Sequence, residues 1–188
     1  MRKIKTIFER DWKGNRGVVD NLIVNFDFSN AIATEKLDGM NIRVTVRNEQ
    51  VVRVEKRRNP NKKQKKEGIV IPWYVDAKRD DPADKWIFNA VENTDFIDVP
   101  DGEWSAEAIG PKIQGNPLNL EKHELFIFSL EHWREKIVFA DAPISFAELK
   151  EWLPKQKSKI GNNCGIEGIV WHNQVNGDMV KIKVKDFK

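Results

Sequence analysis

Cysteine is almost absent from this sequence: Cys164 is the only one in 188 residues. One cysteine excludes an internal disulfide and fits a reducing compartment, and we interpret it as a packing residue rather than as a nucleophile. Long apolar runs are also absent, and residues Met1–Lys5 are followed by charged residues instead of the apolar stretch of a signal peptide. These absences predict a cytoplasmic protein with no membrane segment.

A large excess of one charge sign is absent too: 32 lysine and arginine residues stand against 29 aspartate and glutamate residues, for a net charge of +3. This balance permits a nucleic-acid partner without indicating one. Four lysines lie within residues 59–66, which we interpret either as a solvated loop or as an arm that contacts phosphates. The histidines are too scattered for a zinc site, and we expect surface or packing roles for His123, His132 and His172.

Short strands dominate the pattern. Residues 41–47 alternate between apolar and polar side chains, as in a half-buried antiparallel strand. Residues 51–56 are predicted to pair with them as the second strand of a hairpin whose turn is at 48–50. Residues 125–130 are apolar on both faces, which predicts a central strand. Many strands and few helices, without alternation of strand and helix, predict an α+β fold built on antiparallel sheet.

Two helices have start signals. Asp81 followed by Pro82 is typical of an N-cap and a first helical residue. Ser145 and Glu148 form a capping-box pattern, and Pro154 is expected to end that second helix.

Three segments carry side chains suited to chemistry. The first is Lys36–Gly39 (Lys-Leu-Asp-Gly), directly before the strand at 41–47. The second contains Glu107, shortly before a Gly-Pro turn. The third joins Glu167 to the lysine-rich run 179–185.

In that run, the apolar residues fall on one face of a strand and Lys181, Lys183 and Lys185 on the other. Aligned ammonium groups repel one another unless an anion lies among them. The alternative is a solvent-facing edge strand protected by its lysines.

In their order along the chain, these segments resemble the covalent nucleotidyltransferase superfamily, which contains DNA ligases, RNA ligases and mRNA capping enzymes. The resemblance is greatest to the ATP-dependent RNA ligase family and runs from about residue 8 to the C-terminus. Three segments add to it: Phe8–Asp11 (Phe-Glu-Arg-Asp), Gly110–Pro117 (Gly-Pro-Lys-Ile-Gln-Gly-Asn-Pro) and Glu167–His172 (Glu-Gly-Ile-Val-Trp-His).

The resemblance implies a nucleotidyltransferase fold of the ligase adenylation type, in which antiparallel sheets flank a nucleotide cleft with a few peripheral helices. Only five residues follow Lys183, so we expect a single adenylation domain over residues 1–188 without a C-terminal OB-fold domain. That would set the chain apart from DNA ligases and capping enzymes.

The resemblance also implies a role for each matching residue. The implied catalytic residues are Lys36 as the nucleophile, Asp38 near the ribose and the reactive ends, and Lys181 and Lys183 on the α-phosphate. The implied nucleotide contacts are Glu35 near the adenine, Gly39 where the backbone turns, Arg57 with Lys56 as its alternative, Glu107, Phe128 on the adenine with Phe126 as its alternative, Glu167, Lys181 and Lys183. The implied ligands of Mg²⁺ or Mn²⁺ are Glu107 and Glu167.

This chemistry requires a lysine amine that has lost its proton, because an ammonium is not a nucleophile. Positive potential from Lys181, Lys183 and a bound divalent cation would favour that loss. The lysyl-AMP would pass its AMP to an RNA 5′-phosphate, and a 3′-hydroxyl would displace AMP to seal the strand. ATP, Mg²⁺ or Mn²⁺ and RNA are the implied ligands, and no feature indicates an obligate protein partner.

The mechanism makes a prediction about the loop between the last two strands. A two-residue turn at Asn176-Gly177 would turn Glu167 away from Lys181 and Lys183, because a shift of one residue exchanges strand faces. A three-residue loop, 175–177 with Gly177 as a bulge, or another bulge nearby, would bring all three to one face.

Three other functions stay open from the sequence. They are adenylation without ligation, use of GTP by a capping-like nucleotidyltransferase, and a non-catalytic nucleotide- or RNA-binding module of the same fold. Retention of Lys36 together with Glu167 and the two lysines argues against the last, since a module without catalysis has no use for the nucleophile.

Overall fold

The structure is a computed structural model, and it describes residues 3–23 and 25–188. Two compact units are present, one formed by Asp38–Trp133 and the other by Ile4–Leu37 with Arg134–Lys188. A single adenylation domain over 1–188 stays a prediction. No helix in the described ranges is both long and apolar enough to cross a membrane.

The secondary structure is mostly strand. The strands are β1 Lys5–Thr6, β2 Phe8–Arg10, β3 Val18–Leu22, β4 Ala31–Glu35, β5 Met40–Arg47, β6 Gln50–Arg58, β7 Trp73–Asp76, β8 Gly102–Ile109, β9 Glu124–Phe126, β10 Gly168–Asn173 and β11 Met179–Lys183. The α-helices are α1 Lys62–Lys66, α2 Lys85–Glu92, α3 Glu131–Arg134 and α4 Phe146–Trp152, with 3₁₀ turns at Glu135–Ile137, Leu153–Lys155 and Val184–Asp186.

The unit of residues 38–133 is built on a five-stranded antiparallel sheet of order β7-β6-β5-β8-β9. The apolar side of β5 is fully buried, as its alternation predicts, and α2 packs Ile87 and Ala90 into the same core. The β5–β6 hairpin is confirmed, with Arg47 paired to Gln50. Its turn has only two residues, Asn48 and Glu49, and both have positive φ, as a type I′ turn requires.

The other unit contains a four-stranded sheet of order β1-β11-β10-β4, in which β1 runs parallel to β11 and the other pairs are antiparallel. A separate hairpin joins β2 to β3. Ile169, Trp171 and Ile182 form the core of this unit with Leu149 from α4. Mixed sheets with few helices confirm the α+β class.

The predicted central strand over residues 125–130 is wrong. Strand β9 ends at Phe126 and lies at the edge of its sheet. The chain then turns, with the Phe128 amide donating to the Phe126 carbonyl at 3.1 Å. The segment is apolar on both sides because Leu125 and Ile127 are buried in the core with α2 while Phe126 packs against Trp133, not because strands flank it.

The predicted start of the first helix is also wrong. Helix α2 begins at Lys85, and Asp84 at its N-cap makes no capping hydrogen bond. The Asp84 carboxylate instead binds the ammonium of Lys56 and accepts the Lys78 amide at 2.9 Å. Asp81, the predicted N-cap, accepts the Ala83 amide at 2.9 Å in a turn that precedes the helix.

The other local predictions have mixed outcomes. Ser145 caps α4 as predicted, accepting the Glu148 amide at 3.4 Å. Residues 59–66 are not simply a loop, because Lys62–Lys66 form one helical turn that Asn61 and Gln64 cap reciprocally. Strand β11 is not an edge strand, since it lies between β1 and β10.

Candidate active site

The candidate nucleophile lies at the end of β4, where the sheet register gives it two defined neighbours. The Lys36 amide donates to the Gly168 carbonyl at 2.8 Å, and Gly168 pairs in turn with Lys183. Residues in one such row across antiparallel strands project to the same face. Lys36 and Lys183 therefore share one face of this sheet.

Glycine at the centre of this row is required by close packing. A Cβ atom at Gly168 would lie 2.1 Å from the Ile182 carbonyl oxygen and 2.7 Å from the Lys183 Cα. No real side chain tolerates such distances. The missing side chain also leaves the space between the two lysines free of any side chain from the middle strand.

The carboxylate of Glu167 binds both lysines. Its Oε2 accepts from Lys36 Nζ at 2.5 Å, and its Oε1 accepts from Lys183 Nζ. The Glu167 side chain is 10% exposed, while Lys185, which lies 4.0 Å from the same carboxylate, is 72% exposed. The inner contacts are therefore those of Lys36 and Lys183.

The electrostatics keep Glu167 ionised. Burial alone would raise its pKa, but the charge of Lys36 and the hydrogen bonds from both lysines outweigh burial, and the pKa of Glu167 lies below its ordinary value. Two cations and one anion thus meet with a net charge of +1, which is suited to binding an anion.

The loop that precedes β11 differs from the prediction. Asn173 donates to the Asp178 carbonyl at 2.9 Å, so the loop has four residues, 174–177, and the three-residue bulged loop is wrong. With this register a regular strand would turn Glu167 away from Lys183. Glu167 precedes the first residue of β10, where strand alternation no longer fixes the direction of its side chain.

Lys181 lies on the same face as Lys183, one strand repeat away, and it pairs with Val170. Val170 pairs in turn with Thr34 of β4. The structure therefore places Lys36, Lys181 and Lys183, the three lysines to which the family resemblance gave catalytic roles, on one face of the sheet.

Glu35 lies on the opposite face. Its carboxylate is buried, where Oε1 accepts from Ser158 Oγ at 2.6 Å and Oε2 accepts the Lys159 amide at 2.7 Å. Burial raises the pKa of Glu35, and these hydrogen bonds only partly offset it. The predicted contact of this side chain with a nucleotide is not supported, because neighbouring residues of a strand point to opposite faces.

In the unit of residues 38–133, the structure brings Gly39 and Glu107 together. The Gly39 amide donates to Glu107 Oε1 at 3.2 Å, and a Cβ atom at Gly39 would lie 2.3 Å from the Ala108 carbonyl oxygen. The glycine is needed here for close approach of two backbones. Asp38 is half-buried in the connection between β4 and β5.

The structure distinguishes Arg57 from its alternative, Lys56. Lys56 pairs with the core residue Ile42, and its ammonium binds Asp84. Arg57 points to the other face, and its Nε and Nη2 atoms are buried without hydrogen-bond partners in the described part of the chain. Two buried guanidinium nitrogens without partners are costly, so this position favours an anionic ligand.

The two aromatic candidates also differ. Phe126 is buried in strand β9 and packs edge-on against Trp133 at 5.6 Å between ring centroids. Phe128 is half-buried in the following turn, so the two do not share a strand face. Phe128 therefore remains the better candidate for stacking on a base.

Sequence reasoning missed two polar contacts beside the site residues. Tyr74 donates to Asn41 Oδ1 at 2.8 Å, and Asn41 pairs with Glu107 across β5 and β8. The polar alternation of 41–47 marked Asn41 as facing away from the core, but no local signal marked Tyr74. His172, expected to be a surface or packing residue, lies on the Lys36 face with its Nε2 3.0 Å from Thr34 Oγ1.

No group of three or more histidine, cysteine, aspartate or glutamate side chains is arranged to hold a metal ion within residues 3–23 and 25–188. The proposed metal ligands Glu107 and Glu167 belong to different units. Mg²⁺ commonly binds through one or two carboxylates completed by substrate phosphates and water. Each of these carboxylates, taken within its own unit, fits that manner of binding as a single protein ligand.

Comparison with known proteins identifies the fold. No family model matches the sequence, and no curated protein matches it. Three structures of Naegleria gruberi RNA ligase are similar to the chain at 12% identity and a TM-score of 0.51, covering 98% of it. Two are lysine-to-alanine mutants with ATP and Mn, and one is a glutamate-to-alanine mutant with AMP and Mn.

The chain has the fold of these RNA ligases. The resemblance that the motifs indicated is thereby confirmed at the level of the fold. The chain spans 61% to 62% of the length of those ligase chains and 48% of another structure of the same ligase.

Proposed function

We propose that this chain is an ATP-dependent RNA ligase in which Lys36 carries AMP as a covalent intermediate. The observation that carries the proposal is the binding of one carboxylate, Glu167, to both Lys36 and Lys183 at the end of three paired strands. A lysine amine held beside further cations suits attack on a phosphate anion. The RNA ligase fold supports the same reading.

The first step forms a bond between Lys36 Nζ and the α-phosphorus of ATP, while the bond from that phosphorus to the pyrophosphate oxygen breaks. The amine loses its proton in this step. Lys181 and Lys183 lie on the same face as the nucleophile, where they would stabilise the charge on the α-phosphate oxygens. Pyrophosphate is the leaving group and takes the electron pair of the broken bond.

The second and third steps join RNA. An oxygen of the RNA 5′-phosphate forms a bond to the AMP phosphorus as the bond to Lys36 Nζ breaks, which regenerates the lysine. A 3′-hydroxyl then attacks the RNA phosphate, AMP leaves, and the strand is sealed.

A divalent cation, Mg²⁺ or Mn²⁺, would neutralise phosphate charge when bound. Glu167 in one unit and Glu107 in the other are each proposed as a carboxylate ligand for such a cation, as the family resemblance implies, and ATP would supply further ligands. Asp38, Arg57, Glu107 and Phe128 belong to residues 38–133, and their roles toward the nucleotide stay proposals that rest on the family resemblance. A cytoplasmic location likewise stays a prediction from the cysteine content.

Incubation of the purified chain with α-labelled ATP and Mg²⁺ or Mn²⁺ tests the first step. We expect a label that survives denaturation, is absent from Lys36→Ala and Lys36→Arg, and persists in Lys150→Ala, a control at an exposed lysine of α4. Labelling that persists in both Lys36 variants would refute the assignment of Lys36 as the nucleophile. Preferential labelling by GTP would show that GTP, and not ATP, is the nucleotide substrate.

Sealing is tested separately with 5′-phosphorylated RNA, supplied as a nicked duplex and as free single strands. Ligated product that depends on Lys36 supports the RNA ligase. An adduct that forms without any transfer of AMP to either RNA would restrict the function to adenylation.

A further inference from the structure

One aromatic side chain is strongly exposed. Trp12 is 74% exposed, and no other aromatic residue is among the large hydrophobic side chains that the described part of the chain leaves exposed. It lies in the turn between β2 and β3, which we call the Trp12 turn and define as residues 12–16. Exposed tryptophan removes little surface from water, so stability does not account for it.

The Trp12 turn is stabilised by local hydrogen bonds. Asp11 Oδ1 accepts the amides of Lys13 at 3.1 Å and Gly14 at 2.8 Å, and the Asp11 amide donates to the Gly17 carbonyl at 2.9 Å. Asn15 Oδ1 also accepts the Gly17 amide at 2.7 Å. The local hydrogen bonds therefore present Trp12 outward in a defined turn.

Cationic residues are close to Trp12 along the chain. Lys13 and Arg16 are exposed in the same turn, and the Arg10 guanidinium lies 5.8 Å from the centre of the Trp12 ring. The carboxylate of Asp11, the residue before the turn, already accepts backbone amides. An aromatic platform flanked by lysine and arginine fits a single nucleic-acid strand, whose bases stack and whose phosphates carry charge.

The same turn is connected to the candidate active site within one unit. Arg10 donates to the Arg16 carbonyl through Nη1 and to Asp186 Oδ1 through Nη2, each at 2.5 Å. Asp186 Oδ2 in turn accepts the amide of Lys183 at 3.1 Å. Arg10 therefore ties the Trp12 turn to the end of the strand that carries Lys183.

We propose that the Trp12 turn binds the RNA strand whose end reacts at Lys36: Trp12 stacks on a base, and Lys13 and Arg16 contact phosphates. The inference rests on the proposed function for the identity of the strand. The hairpin also exposes Leu22 and Ile23, a surface that a protein partner would use. The Arg10 guanidinium beside the ring and the exposed Lys13 and Arg16 of the same turn favour RNA over that alternative.

The test is binding of a fluorescent single-stranded RNA to the full chain, measured by anisotropy at several salt concentrations. We expect Trp12→Ala to weaken binding by about 5- to 150-fold, the effect of losing one base–aromatic stack, and Trp12→Phe to retain most of it. Lys13→Ala with Arg16→Ala should reduce the slope of log K against log salt by about 1.4, or about 0.7 for each lost phosphate contact.

A matched control removes two exposed lysines elsewhere in the same unit, Lys150→Ala with Lys155→Ala, and should leave affinity and slope within about twofold of the unmodified chain. A second readout uses RNA that carries 5-iodouridine, which should cross-link to the peptide containing Trp12 in the unmodified chain. Because it needs no variant, this readout holds even if Trp12→Ala fails to fold.

Unchanged binding in Trp12→Ala, a salt slope no lower than that of the control, or cross-links confined to other peptides would overturn the inference and leave the hairpin to a protein partner. Failure of the proposed function is distinguishable. Absence of the covalent AMP label refutes the ligase whatever the RNA binding shows, whereas the Trp12 variants should keep that label.

Discussion

His172 provides a test of the site sheet through pH. It lies on the Lys36 face of β10 with its Nε2 3.0 Å from Thr34 Oγ1. Burial first, and the charge of Arg134 second, lower the pKa of His172 from 6.5 to about 4. The folded chain therefore keeps this imidazole neutral at pH values where an unfolded chain would protonate it.

The sign and the size follow from proton linkage. Between pH 6.5 and 4 the unfolded state binds a proton at His172 that the folded state does not, so the free energy of unfolding falls as the pH falls. At 1.36 kcal/mol for each pKa unit, the loss attributable to His172 reaches about 3 kcal/mol at pH 4. Below that pH both states are protonated and the contribution levels off.

The perturbation is His172→Gln, which removes the titrating group while keeping an amide able to bond with Thr34. Urea unfolding of the unmodified chain and of the variant between pH 7 and 4 would give the difference between their free energies of unfolding. The effects of carboxylate protonation are common to both proteins and cancel in this difference. We expect the variant to lose about 2 to 3 kcal/mol less than the unmodified chain over this interval.

An NMR titration of the three histidines checks the cause directly, because the His172 signal is identified by its loss in the variant. A His172 pKa near 6.5, or equal acid destabilisation of both proteins, would refute the reasoning from burial.

Three further substitutions have expected outcomes. Gly168→Ala should destabilise the chain by about 1–3 kcal/mol in urea unfolding, because its Cβ would meet the Ile182 carbonyl at 2.1 Å, and an unchanged midpoint would contradict the packing. Glu167→Gln should abolish covalent AMP labelling and lower stability, since two ammonium groups then face each other unpaired; full labelling would remove Glu167 from the mechanism. Tyr74→Phe should cost about 1 kcal/mol of unfolding free energy through the lost hydrogen bond to Asn41, and no measurable loss would argue against that bond.

Local patterns predicted much of the fold. The alternation over residues 41–47 predicted both the buried face of β5 and its hairpin partner, because in a half-buried strand the apolar residues recur at every second position. The Ser145 cap was predicted for a similar reason, since capping depends on residues only three positions apart.

Predictions that depended on distant partners failed. The helix predicted to start at Asp81 begins at Lys85 instead, next to an Asp84 that binds the distant Lys56, and the edge position of β9 depends on where the chain turns after Phe126. Neither partner can be read from neighbouring residues.

The candidate site shows the same division. Motif order selected Lys36, Glu167 and Lys183, which the structure brings into contact. Motif order also grouped Glu35 with its neighbour Lys36, although strand alternation sends the two side chains to opposite faces. The contact of Glu167 with both lysines depends on the loop length and on where β10 begins, and sequence alone specified neither.

The discontinuous composition of the Lys36 unit has a consequence for synthesis on the ribosome. Strand β4, which Lys36 directly follows, pairs with β10, and β10 pairs with β11 at residues 179–183. A nascent chain that ends before residue 168 already contains Lys36. It lacks the contact between Glu167 and Lys183 and the two strands, β10 and β11, that position Glu167 beside Lys36. The surroundings of Lys36 are therefore complete only after residues 167–183 have been translated, and a product terminated before them would carry Lys36 without its partner Glu167.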